Sequence, residues 1–185
     1  MNKDLITQEK QNTLSISQQL QILKKQTGVV YICDVSGSMS SYLQGKEKIE
    51  HLRTVLQTVN ATNILCFASI CQWITSVGEL TLAQLNCGGG TLMYYAFEEI
   101  VRSGKKFKTY ICISDGETSG EERTIQSAKM IRHPIETIYI GNEGDQGSKF
   151  MARLAKETGG QSQVADVNNP DFGGLLEKQV TLLLE

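Results

Sequence analysis

The sequence predicts an α/β fold: an open, mostly parallel central β-sheet of about six strands, with helices on both faces. Two observations carry this. After Gly28, short runs rich in β-branched and aromatic residues alternate with segments that are apolar at helical spacing, the order that builds a parallel sheet through helical crossovers. The first such run, Val29-Val30-Tyr31-Ile32-Cys33, is continuously apolar, as expected of a strand covered on both faces.

Taken in order, residues 1–12 are polar, and residues 15–26 carry Ile16, Leu20 and Leu23 on one helical face behind a Ser15/Gln18 capping box. Residues 1–27 are thus expected to form a polar segment with one short amphipathic helix, ahead of a single domain at 28–185. After the first strand, residues 42–59 read as a helix with Leu43, Ile49, Leu52, Val55, Leu56 and Val59 on its apolar face. Strands follow at 63–67 and, shorter, at 72–75. Residues 81–87 lead into Gly88-Gly89-Gly90-Thr91, and a helix is expected at about 92–102. A fourth strand at 108–113 ends in Ser114-Asp115-Gly116-Glu117, and a helix spans 121–132. Pro134 closes that helix and a fifth strand covers 135–140. A helix at 148–158 stops at Gly159-Gly160, and a sixth strand covers 163–167. Asn169 as N-cap and Pro170 at the first position would open the last helix, striped by Phe172, Leu175, Leu176, Val180 and Leu183.

The bulk numbers exclude several classes. The chain has 185 residues, 40% hydrophobic and 21% charged, enough for one domain with a sizeable core. Eighteen Lys plus Arg against 20 Asp plus Glu give a net charge of −2, without the basic footprint of a nucleic-acid binder or the clusters that draw a protein to anionic membranes. No apolar run approaches the ~20 residues of a membrane span, and the N-terminus lacks the apolar region of a secretory signal. The five cysteines are an odd number, and Cys33, Cys66 and Cys112 sit inside apolar runs, so they read as buried thiols in a reducing cytoplasm. Cys87, next to the glycines, is expected to be partly exposed.

In an open parallel sheet, ligands bind beyond the carboxyl ends of the strands, where the strand order switches direction. Asp34, Ser36 and Ser38 follow the first strand, Asp115 follows the fourth, and Thr91 stands in the glycine-rich loop. If the first and fourth strands are neighbours, these five oxygen-bearing side chains converge. Two carboxylates and three hydroxyls, with no Cys or His, form a hard-oxygen set suited to Mg²⁺, Mn²⁺ or Ca²⁺ and poor for Zn²⁺ or Cu²⁺. The i, i+2, i+4 spacing lets alternate side chains of the first loop turn the same way, and the glycines before Thr91 permit close approach.

These residues resemble the von Willebrand factor A (VWA) family, whose metal-ion-dependent adhesion site has the pattern Asp-x-Ser-x-Ser, then a distant Thr, then a distant Asp. All five positions are present, as Asp34, Ser36, Ser38, Thr91 and Asp115, and the resemblance covers residues 28–184. It implies a Rossmann-like VWA fold and a Mg²⁺-type cation with an open position that a partner protein's Asp or Glu fills, with no bond made or broken. The chain is short and has no long insertion above the site, unlike some adhesion members. That favours the intracellular members, which serve as assembly adaptors, some beside AAA+ ATPases.

Plainer readings exist for each residue alone. Ser36 and Ser38 could cap the following helix, Thr91 could cap a helix beginning at Leu92, and Asp115-Gly116 is an ordinary turn pair. Glu117 could reach the metal through water but reads as a solvated turn residue. His51 is expected on a helix surface, and Tyr94 and Tyr95 either pack or line a partner surface near Thr91. Two other functions compete with partner binding. A Mg²⁺-dependent phosphohydrolase of the haloacid dehalogenase type would need a second carboxylate where Ser36 stands. A structural module with a vestigial metal site would bind through the segment 15–26 or the last helix.

Overall fold

The computed structural model describes residues 28–87, 89–116 and 118–184; the segment expected to be helical at 15–26, and Glu117, lie outside them. Strand β1 (Val29–Asp34) is buried along its whole length. Its side chains alternate between two cores: Val29, Tyr31 and Cys33 enter one and Val30 and Ile32 the other, the period-2 geometry of a strand covered on both sides.

A single 3-10 turn (Gly37–Ser40) follows, then two short antiparallel strands, β2 (Tyr42–Leu43) and β3 (Lys46–Glu47). Helix α1 (Lys48–Thr58) begins only after them. The helix expected from residue 42 is therefore shorter, because Gln44 (φ 52°) and Gly45 (φ 79°) both take left-handed backbone, which a two-residue hairpin turn requires. Next come β4 (Ile64–Phe67), β5 (Cys71–Ile74), a 3-10 turn at Val77–Glu79, α2 (Leu80–Cys87), α3 (Tyr94–Ser103) and β6 (Thr109–Ser114). Helix α4 (Glu121–Lys129), β7 (Ile135–Gly141), α5 (Gln146–Thr158), β8 (Ser162–Asp166) and α6 (Phe172–Leu182) complete the chain. The last helix starts two residues later than Asn169–Pro170 suggests: Asp171 is the N-cap, its carboxylate accepting from the Gly174 N–H at 3.1 Å.

The sheet order is β5-β4-β1-β6-β7-β8. All pairings are parallel except β4 with β5. Because β1 pairs β4 on one side and β6 on the other, the order switches direction at β1, and the crevice for a ligand opens at the carboxyl ends of β1 and β6. Helices α1, α2 and α6 bury Leu52, Leu56, Leu80 and Leu176 against one face. Helices α3, α4 and α5 bury Phe97, Ile125 and Leu154 against the other.

His51 is not a surface residue. It is 9% exposed, stands edge-on to Phe172 with ring centroids 5.1 Å apart, and pairs through Nε2 with the Leu43 carbonyl at 3.0 Å. It thereby ties α1, α6 and the β2–β3 hairpin together. Cys87 is likewise buried, at 2% exposure, because α2 turns it into the core. Among the described residues all the cysteines are free, and no helix is long and apolar enough to cross a membrane.

Phe172 has no solvent exposure. Phe172→Ala is expected to destabilise the protein by about 3–5 kcal/mol, read as a lowered midpoint in urea-induced unfolding followed by far-UV circular dichroism.

Candidate metal centre

The register of β1 against β6 assembles the site. Cys33 lies opposite Ile113, so the residues that follow each strand emerge side by side. Asp34, at the tip of β1, is wholly buried. Its Oδ1 accepts from the Ser36 N–H at 2.8 Å and its Oδ2 from the Ser114 hydroxyl at 2.6 Å. Ser114 Oγ in turn accepts from the Gly116 N–H at 2.9 Å, which fixes the turn carrying Asp115.

Ser36 is 1% exposed, and its hydroxyl shares a 3.0 Å hydrogen bond with that of Ser38. Neither serine acts as a helix cap: Ser36 precedes the 3-10 turn but makes no side-chain capping bond. Thr91 is not a cap either, since α3 begins at Tyr94 and Met93 holds the cap position. The Thr91 carbonyl instead accepts from the Ser119 N–H at 3.0 Å and from the Thr118 hydroxyl at 3.2 Å, which docks the glycine loop on the segment after Asp115.

Ser36, Ser38, Gly89, Gly90, Thr91 and Gly116 line one open cavity of about 670 Å³. Ser38 and Asp115 also line an adjoining one of about 350 Å³. The five residues singled out in the sequence therefore meet at one end of the sheet, with Asp34 as a floor beneath the hydroxyls. Asp115 is 6% exposed. Its Oδ2 pairs with Lys48 Nζ at 3.3 Å, while its Oδ1 is buried with no hydrogen-bond partner. A buried carboxylate oxygen left unpaired is costly, and a bound cation would satisfy it. Among the described residues no three of His, Cys, Asp and Glu gather as a ligand cluster; the donor set is carboxylate plus hydroxyl, which fits a hard divalent cation.

Backbone contact holds the Asp115 turn in place. Gly116 has φ 77°, and a Cβ there would stand 2.5 Å from the Cα of Gly147 at the start of α5. A Cβ on Gly147 would stand 2.7 Å from the Asp115 carbonyl. Two glycines thus let the turn and the helix start touch, and any side chain at either would push Asp115 away.

Sequence reasoning passed over Ser114 and Lys48. Ser114 had a signal, since it directly precedes Asp115 on the strand beside β1. Tyr94 is buried under the Arg123 guanidinium, 3.8 Å from its ring centre, and Tyr95 is 36% exposed beside it.

No family model matches the sequence, and no curated protein matches it. The fold does have solved counterparts. A von Willebrand factor type A protein from Catenulispora acidiphila superposes with a TM-score of 0.58 at 17% identity, over 84% of this chain and 41% of that one. The chain has a VWA-like fold. A mutant of the PilB minor pilin from Streptococcus sanguinis gives a TM-score of 0.51 at 12% identity, over 84% of this chain and 60% of that one. The human COPII-coat protein Sec24c gives 0.52 at 10% identity, over 82% of this chain and 31% of that one. The VWA-like chain spans less than two thirds of each of these structures.

Burial pushes the Asp34 carboxyl up from 3.8 to about 6, Asp115 adding to the rise and the Ser114 and Ser36 hydrogen bonds opposing it. A carboxyl raised on folding holds its proton more tightly in the native state. Without metal, this group's contribution to stability is therefore full below about 4 and is lost as pH rises to about 6. Asp34→Asn removes that loss. In chelator at pH 7.5 the variant is expected to be more stable than wild type by about 1–3 kcal/mol, with the gap closing towards pH 4.5, as measured by urea unfolding at both pH values.

Proposed function

We propose that this VWA-like domain is a non-enzymatic protein-interaction module that binds a partner Asp or Glu through a Mg²⁺-type cation, held by Asp34, Ser36, Ser38, Thr91 and Asp115. The observation that carries the reading is the buried, unpartnered Oδ1 of Asp115 next to a hydroxyl pair that lines an open cavity. Ser36, Ser38 and Thr91 would supply neutral oxygens, and the two aspartates would supply charge. A bound cation would supply an electrophilic position that a carboxylate could occupy.

This chain's own residues do the rest. Ser114 and the Ser36 N–H orient Asp34, the Gly116–Gly147 contact keeps Asp115 at its post, and the cavity leaves room above the hydroxyls for a partner's side chain. An acid–base carboxylate two residues after Asp34, which a phosphohydrolase of the haloacid dehalogenase type would need, is replaced by Ser36, whose hydroxyl is engaged with Ser38. Two of the similar structures are by name a pilin and a coat protein, components of assemblies, in keeping with an adaptor or assembly role. A cytoplasmic setting, and a place beside an AAA+ ATPase, are part of the same proposal.

The test is thermal unfolding of wild type and Asp34→Ala in chelator and then in millimolar Mg²⁺ or Mn²⁺. At ten times its dissociation constant a cation adds about 1.4 kcal/mol, a rise of roughly 3–5 °C for a domain of this size. Wild type is expected to show the rise and the variant none; equal melting with and without metal in wild type would count against the reading.

A further inference from the structure

Lys48 is placed against the preference of its own helix. It is the first residue of α1, where the positive end of the helix dipole disfavours a cation. Its backbone N–H is pinned to the Ser41 carbonyl at 3.0 Å, so the hairpin before it sets its position. Its ammonium reaches Asp115 Oδ2 at 3.3 Å, with side-chain exposures of 17% and 6%, the most buried ion pair among the described residues. The pair leaves Asp115 Oδ1 free, so Lys48 takes one oxygen and leaves the other for a cation.

The charges decide what this does. Asp34 and Asp115 contribute two negative charges and Lys48 one positive, a net of −1. A divalent cation brings the group to +1, and a partner carboxylate then brings it to zero. Without Lys48 the cation alone would reach zero, and the carboxylate would leave an excess negative charge in a partly buried site. Glu121 and Asp145 also line the larger cavity and add negative charge outside this inner group, so the positive charge of Lys48 weighs the more for an anionic ligand; Asp145 Oδ2 accepts from the Asn142 N–H at 3.3 Å, the Asn142 amide at 3.2 Å and the Tyr139 hydroxyl at 3.4 Å.

We propose that Lys48 is a specificity-determining residue of the metal centre: its fixed positive charge weakens the hold on the metal alone and strengthens the hold of the metal-loaded site on an anionic ligand. This rests on the metal-binding reading above. It makes the site selective for carboxylate-bearing partners over neutral ones, and makes the metal most firmly held when the partner is present, since the two bindings are thermodynamically linked.

The experiment compares wild type, Lys48→Met, Lys48→Arg and Asp34→Ala. Mn²⁺ affinity is read from the free-ion electron paramagnetic resonance signal. Acetate affinity is read from the loss of water-proton relaxation as acetate displaces water from bound Mn²⁺. Lys48→Met is expected to bind Mn²⁺ more tightly, on the order of tenfold, and acetate more weakly by a similar order. Lys48→Arg keeps the charge and is expected to follow wild type in both. A purely structural ion pair would lower the melting temperature of Lys48→Met without moving the two affinities in opposite directions. Unchanged affinities in Lys48→Met, or a fall in both, overturn the proposal. Wild type binding Mn²⁺ no better than Asp34→Ala removes the metal centre itself, and the role of Lys48 with it.

Discussion

A carboxylate without access to water stands at the tip of the central strand, and much of the molecule is arranged around it. Removing an ionised carboxylate from water is expensive unless hydrogen bonds and opposite charge replace the lost hydration. Asp34 receives two hydrogen bonds, from the Ser36 N–H and the Ser114 hydroxyl, and they do not fully offset its burial. Each donor depends on something larger. Ser36 depends on the tight loop after β1, and Ser114 on the register that brings the end of β6 beside the end of β1.

The switch in strand order gives this arrangement a place to face. Because β1 lies between β4 and β6, the loops at its carboxyl end splay apart instead of closing over one another, and the glycine loop carrying Thr91 fills one side of the gap. The Ala68 carbonyl, just past β4, accepts from the Leu92 N–H at 2.9 Å, so that loop is anchored to the neighbouring strand end. On the other side the hairpin of β2 and β3 is held by His51 and by a hydrogen bond from the Gln44 amide to the Asn169 carbonyl. The rim of the site is thus braced from the end of β4, from α1 and from the segment just before α6.

The features legible in the sequence were those with a strong local period or an ordered motif. The unbroken apolar run of β1, the alternation of strands and helices, and the placement of Asp34, Ser36, Ser38, Thr91 and Asp115 at one end of the sheet all belong to that kind. What escaped depended on contacts across the fold or on backbone angles. Leu43 fits the helical stripe of residues 42–59, so the hairpin was hidden until the left-handed Gln44–Gly45 turn was seen. His51 looked polar and exposed between Glu50 and Arg53, yet α6 covers it with Phe172. Asn169–Pro170 carries the right chemistry for a helix start, but Asp171 offers a carboxylate that reaches the Gly174 N–H and displaces it. Lys48 gave no sign because its partner lies 67 positions away.

The hydrogen bond from Ser114 to Asp34 joins residues 80 positions apart, and that separation bears on how the chain reaches its native state. A growing polypeptide exposes β1, α1, β4 and β5 well before β6 exists, so the first half can pair as β5-β4-β1 with one side of β1 bare. Until β6 arrives, Asp34 remains at an open sheet edge, in contact with water and at ease as an anion. Closing that edge is a long-range step of the kind that slows folding, and it is the same step that dehydrates the carboxylate. The dehydration of Asp34 is thereby coupled to the step in which β6 brings the core residues Ile111 and Ile113 beside β1.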